Sequence, residues 1–116
     1  MSRPRKCRKV CRLPEEREFR PLGECSGTII LTVDEYEAIR LIDYQGFSQE
    51  QCAGYMKVAR TTAQQIYTSA RGKIAAALVR GAALRIEGGD YALCDGMEEV
   101  CDCGGCLKHR RRANME

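Results

Sequence analysis

Cysteines near the C-terminus form the densest group of candidate metal ligands in the chain. Cys101, Cys103 and Cys106 lie within six residues, and His109, the only histidine, follows three residues later. Thiolates at this spacing bind zinc at about 2.3 Å and also hold iron–sulfur clusters. Cys94 is close enough to replace one of these ligands across a loop. The spacing predicts a bound zinc ion or iron–sulfur cluster; the alternative is an acidic tail with reactive thiols.

Cys7 and Cys11 form a second pair, separated by three residues. This pair supplies ligands to the C-terminal group or to a site of its own, unless it binds no metal. Cys52 differs from both groups. It falls on the inward side of a predicted short helix, where we expect a small buried hydrophobe.

The chain has eight cysteines but no feature of a secreted or membrane protein. Its basic start is not followed by an apolar stretch, and no run approaches the roughly 18 apolar residues of a membrane span. We therefore expect a cytoplasmic protein without a membrane segment. In that compartment the cysteines serve as free thiols or metal ligands rather than as disulfides.

Charge is separated into blocks along the 116-residue chain, which has a formal net charge of +3. Residues 1–12 carry +6 and residues 46–80 carry +4, whereas residues 90–107 carry −5. Clustered positive charge predicts a polyanion as the partner, and the alternative is that the basic ends are solvated tails.

The basic N-terminal arm could lie in a DNA minor groove. Pro4 keeps the arm extended, and Arg3, Arg5 and Lys6 suit a narrow, negatively charged groove. The alternative is a disordered terminal tail.

Two capping signatures predict the starts of helices. Thr32 with Glu35, and Ser48 with Gln51, have the spacing of a capping box, in which each side chain bonds to the backbone N–H of the other residue. The first helix would end near Gly46.

The second capping box opens a short helix that ends near Met56. After a break at Lys57 and Val58, a longer helix is predicted from Arg60 to about Arg80. Its apolar residues follow the i, i+3, i+4, i+7 pattern and predict one buried stripe, formed by Ala63, Ile66, Tyr67, Ala70, Ile74, Ala77 and Leu78.

Short β elements flank these helices. Residues 28–33 are β-branched and apolar, which predicts one strand. After residue 81 the apolar period changes to two, in residues 84–86 and again in 91–93. The glycines at 88–89 lie between them, and the pattern predicts a β-hairpin.

A short helix and a longer one joined by a brief break are typical of a helix-turn-helix, whose second helix enters the major groove. The outward side of the longer helix carries small and amide side chains suited to base edges, flanked by arginines suited to phosphates. The alternative is an ordinary solvated face. The predicted DNA-contacting residues are Arg60, Thr61, Thr62, Gln64, Gln65, Thr68 and Arg71.

Two resemblances support this interpretation. Residues 46–74, GFSQEQCAGYMKVARTTAQQIYTSARGKI, resemble the helix-turn-helix of region four of the sigma-70 family. RPRKCRKVC at 3–11, LTVDEYEAIRLID at 31–43 and ALRIEGG at 83–89 resemble uncharacterised protein family 0251, also called domain of unknown function 134. Members of that family are predicted to bind DNA, so the resemblance implies DNA binding.

The turn departs from the usual pattern at two positions. Lys57 stands where glycine is common, and Ala59 stands where a serine cap is common. Each change costs about 1 kcal/mol. We expect Thr61 or Thr62 to take over capping, which would start the helix slightly later.

The expected fold is mainly α: a three-helix helix-turn-helix, winged-helix-like or similar to sigma region four, with a short β-hairpin and irregular cysteine-containing ends. We expect a basic arm at residues 1–27, the DNA-binding core at 28–93 and a cysteine-rich, metal-binding tail at 94–116.

The leading hypothesis is a sequence-specific regulator of transcription that binds double-stranded DNA as a homodimer and responds to a metal or to redox state. The alternative is a metal- or iron–sulfur-handling protein in which the helix-turn-helix is only a scaffold. An enzyme is not expected, because the chain has no glycine-rich phosphate loop and its one histidine lies in a basic tail.

Overall fold

The computed structural model describes residues 8–93. Three α-helices and five short strands form a mainly α fold, and within residues 8–93 no helix is both long and apolar enough to cross a membrane. In chain order the elements are β1 (Arg8–Val10), β2 (Glu18–Phe19), β3 (Thr28–Leu31), α1 (Val33–Ile39) with a π-helical extension (Arg40–Tyr44), α2 (Gln49–Met56), α3 (Arg60–Arg80), β4 (Ala83–Ile86) and β5 (Tyr91–Leu93).

Both predicted capping boxes are confirmed. Before α1, the hydroxyl of Thr32 accepts from the N–H of Glu35 at 3.4 Å, and the Glu35 carboxylate accepts from the N–H of Thr32 at 2.9 Å. Before α2, Ser48 and Gln51 make the same exchange at 3.0 and 2.8 Å. These bonds satisfy amides that the first helical turn leaves without partners.

The turn between α2 and α3 forms despite its unusual residues. Lys57 adopts the left-handed conformation, with φ of 59°. The prediction that Thr61 or Thr62 delays the start of α3 is wrong, because α3 begins at Arg60. Ala59 supplies no side-chain cap, but its extended backbone lets its carbonyl accept from the N–H of Ala63 at 2.9 Å, which closes the first turn.

The predicted hairpin of β4 and β5 is wrong. β4 lies between β2 and β3, antiparallel to the first and parallel to the second, so both its edges are occupied. Gly88 and Gly89 adopt positive φ, and the Gly88 carbonyl accepts from the N–H of Val33 at 3.0 Å. This turn directs β5 away to pair with β1 in parallel.

The N-terminal end is also more regular than expected, because β1 packs into the core. Val10 and Cys11 are buried. Lys9 is 8% exposed, and its ammonium lies 4.5 Å from the centre of the Tyr55 ring on α2. A cation against an aromatic face is attracted to the ring electrons, so this contact ties β1 to α2.

Two apolar clusters hold the elements together. One joins α1, α2 and α3 and contains Cys52, which is buried as expected. The other joins β1, β3 and β4 to Ala70 of α3. Ala63, Ile66, Ala70 and Ala77 form the buried stripe of α3.

The prediction that Leu78 is buried is wrong, because this side chain is 79% exposed. Leu78 lies about 100° around the helix from Ala77. The π-helical extension contacts the same side of α3 at Tyr67 through Asp43. No described segment covers that side at Leu78.

Candidate nucleic-acid interface

α3 is held by α1 and α2 on one side and is open on the other. Ala63 and Ala70 on the buried side are 0% exposed. Their small side chains let neighbouring backbones approach closely, and each contributes to helix packing without a long side chain to order. The packing fixes which side of α3 faces outward.

Four of the predicted DNA-contacting residues share that outward side. Thr61, Gln64, Gln65 and Thr68 are exposed, and at 3.6 residues per turn they fall within an arc of about 100°. Thr62 lies outside this arc and is partly buried. The exposed face is therefore a compact patch of hydroxyl and amide groups on the first half of α3. We call these four residues the Thr/Gln face.

Arginines border the Thr/Gln face. Arg60 is exposed at the start of α3. Arg71 lies one turn beyond Thr68, and its Nε is 3.7 Å from a carboxylate oxygen of Asp43 on the π-helical extension. Both side chains of this ion pair are substantially exposed, so it contributes little stability.

Asp43 also accepts a hydrogen bond from the hydroxyl of Tyr67 at 2.7 Å. This bond raises the pKa of Tyr67, and burial and the negative charge of Asp43 act in the same direction. The Arg71 guanidinium lies 5.5 Å from the centre of the Tyr67 ring. Sequence reasoning missed Asp43, because its link to α3 spans 24 residues and has no local signature.

Glu35 fixes the rotation of α3 about its axis. Its carboxylate accepts from Lys73 at 2.6 Å and from the hydroxyl of Ser69, while it also caps Thr32. Burial acts to raise the pKa of Glu35, but these hydrogen bonds outweigh it and hold the pKa below its ordinary value of 4.5. The hydroxyl of Ser69 is thereby directed to α1.

The sequence that forms these elements matches a recognised protein family. The chain matches, over residues 1–94, the model of the family described as "Protein of unknown function DUF134". It belongs to this family.

Relatives of the DUF134 chain carry the name "UPF0251 protein". One from Desulfitobacterium hafniense is 56% identical, over 97% of this chain and 91% of the relative. One from Halothermothrix orenii is 45% identical, over 97% and 88%. One from Pelotomaculum thermopropionicum is 47% identical, over 90% and 81%. No solved structure gives a significant match.

A second buried carboxylate, that of Glu37, joins the DUF134 core to β1. Glu37 is 0% exposed, and it accepts from Arg40 at 2.6 and 3.1 Å and from the backbone N–H of Cys11 at 2.7 Å. Burial, together with the nearby charge of Glu37, raises the pKa of the Cys52 thiol to about 11. Cys52 is therefore a neutral core residue at physiological pH. Nothing in the local sequence distinguishes Glu37 from an exposed helical glutamate.

The predicted metal ligands are mostly outside the described residues. Cys11 is buried after β1, and residues 8–93 contain no cluster of three His, Cys, Asp or Glu side chains able to hold a metal ion. The first seven residues of the basic arm are outside as well. The predicted residues outside the described range are Arg3, Arg5, Lys6, Cys7, Cys94, Cys101, Cys103, Cys106 and His109.

Proposed function

We propose that this DUF134 protein binds double-stranded DNA in a sequence-specific manner, with α2 and α3 as a helix-turn-helix. The observation that carries the proposal is the Thr/Gln face: four exposed polar side chains on the first half of a helix whose other side is packed. A brace helix and a rigid second helix with a free polar face are what major-groove reading requires.

The chemistry of the Thr/Gln face matches base edges. Glutamine can donate to and accept from adenine at the same time, and threonine can hydrogen bond or contact a thymine methyl. Gln64 and Gln65 supply the amides, and Thr61 and Thr68 supply the hydroxyl and methyl groups. Side chains that carry both donors and acceptors discriminate between base pairs, whereas charges alone would not.

Phosphate contacts come from the cations that border this face. Arg60 begins α3, and Lys57 lies exposed in the turn before it. Arg71 is held at the other border by Asp43 and Tyr67. Cations at both ends of the face would fix the register of α3 on the duplex, and the DNA bases would then be read between them.

The cellular role we propose for this DNA binding is regulation of transcription. The first test is a binding selection on random duplex DNA with the full chain, with and without a chelator. Enrichment of a defined site is the expected result. Loss of that site on chelation would make the protein metal-responsive, and the absence of any enriched site would reject sequence-specific binding.

Gln65→Ala tests the residues assigned to the bases. We expect about a 5- to 150-fold loss of affinity for the selected site and little change on random duplex, because one base contact is worth about 1–3 kcal/mol. Thr28→Ala, at an exposed strand position away from the Thr/Gln face, is the control and should change neither. Equal losses on both DNAs would remove Gln65 from the base-reading set.

The second candidate function is metal or iron–sulfur handling, and the pairing of β1 with β5 favours it. These strands run parallel with Val10 beside Leu93, and in the sequence Cys11 follows Val10 and Cys94 follows Leu93. Stoichiometric metal or sulfide in purified protein, with only weak and salt-sensitive DNA binding, would favour this function.

A further inference from the structure

The second half of α3 presents an apolar side that the Thr/Gln face does not use. Leu78 is 79% exposed, and Phe19 of β2 is 55% exposed beside it. Both line a groove of about 480 Å³, together with Ile74, Ala77 and Leu84. Exposed apolar side chains that gather around a groove, rather than lie scattered singly, are typical of an interaction site.

We propose that this groove and Leu78 form the contact between two copies of the chain, related by a two-fold axis. The first argument is the charge around the groove. On the border formed by β2, Arg20 lies 3.9 Å from Glu18. A border with both signs is complementary to itself when a two-fold axis brings the same surface from each copy together. A nucleic acid would instead require a uniformly positive border.

The second argument is the direction in which the Thr/Gln face and the Leu78 side of α3 point, and it rests on the proposed function. Leu78 lies about 80° around α3 from Thr68, at 3.6 residues per turn. Two α3 helices that met through Leu78 would lie side by side and antiparallel, and both Thr/Gln faces would point to the same side. One straight duplex could then meet both faces.

The third argument is the distance between the two DNA-reading segments. Gln65 lies about 20 Å along the axis from Leu78, at about 1.5 Å per residue. A two-fold axis near Leu78 therefore separates the two Gln65 side chains by about 40 Å when the two helices are strictly antiparallel, and by less when they cross at an angle. Half-sites one turn apart on DNA are separated by about 34–36 Å.

The oligomeric state of the full chain, measured without DNA, tests the proposal. Sedimentation across a range of concentrations should give a dimer for the wild type. Leu78→Glu should weaken dimerisation at least about 100-fold, because two like charges meet in a desolvated contact. The matched control is Tyr44→Glu, which places the same charge at an apolar side chain that is 81% exposed and lies outside the groove. It should remain dimeric. Circular dichroism should show that both variants stay folded.

A charge-pairing experiment locates the two-fold axis. Leu78→Arg alone should be monomeric, and an equimolar mixture of Leu78→Arg with Leu78→Glu should recover a dimer. A mixture that stays monomeric would overturn the placement of Leu78 beside its own copy.

Three results would overturn the dimer contact. The wild type could be monomeric at every concentration, in which case another segment of this chain or a different partner covers Leu78. Leu78→Glu could dimerise as the wild type does, or Tyr44→Glu could lose the dimer equally. The sedimentation measurement contains no DNA. If Leu78→Glu weakens the dimer as expected, the dimer contact is therefore supported even when the DNA selection enriches no site. Conversely, an enriched site bound by a monomer would reject the dimer and retain DNA binding.

Discussion

The two sides of α3 differ in what they contact. The inner side is formed by small or aliphatic residues that are almost fully buried, and Glu35 holds its edge through Lys73 and Ser69. The outer side in the first half carries exposed threonines and glutamines. Stability thus depends on one side of the helix and the proposed DNA recognition on the other, so a substitution on one side should leave the property of the other unchanged.

The largest expected effect is on the inner side. Ile66 is 7% exposed within the cluster that joins the three helices. Ile66→Ala should lower the free energy of unfolding by about 2–5 kcal/mol, because it removes buried methylenes and leaves a cavity. Chemical denaturation measures this change. Thr68→Ala, on the outer side of the same helix, is the control and should change stability by less than about 0.5 kcal/mol. Equal effects of the two variants would contradict the division.

An intermediate effect is expected at the charged edge of the inner side. Glu35→Gln removes the negative charge that Lys73 and Ser69 contact and should cost about 2 kcal/mol at neutral pH. Glu50→Gln, at an exposed position of α2, should cost little.

The cost of Glu35→Gln should depend on pH in a defined direction. The pKa of Glu35 is lower in the folded state than its ordinary value of 4.5. Its contribution is therefore present above pH 4.5 and is lost as the pH falls through the folded-state pKa. Wild type and variant should converge in stability in acid, as measured by denaturation at a series of pH values. A difference that grew on acidification would contradict this assignment.

The smallest expected effect is at the turn that orients the two sides. Lys57 has φ of 59°, a conformation that glycine adopts without a steric penalty. Lys57→Gly should therefore raise the free energy of unfolding by up to about 1 kcal/mol. Lys57→Ala removes the same side chain without relieving the backbone and should not stabilise. Thermal unfolding of the two variants distinguishes relief of the steric cost at positive φ from loss of the lysine charge.

Local features of the fold were predictable from the residues. The capping boxes at Thr32 and Ser48, the break at Lys57 and the buried stripe through Ala70 all depend on hydrogen bonds or periodicity within about four residues. The exposed side of α3 followed from that stripe by helical geometry. The Thr/Gln face could thus be located from the sequence, although its binding to DNA stays a prediction.

The arrangement of distant segments was decided by the tertiary structure. β4 pairs with β2 and β3 instead of β5, and no residue of β4 specifies that choice locally. Glutamate is usually a surface residue, yet Glu35 and Glu37 are buried. Hydrogen-bond donors from α3 and from the residue after β1 reach their carboxylates. Leu78 continues a buried stripe in the sequence but is exposed, because burial requires another segment to cover it. The periodicity of apolar residues in a helix is a local property of its sequence. Whether each of those residues is buried depends on segments distant in sequence that pack against the helix.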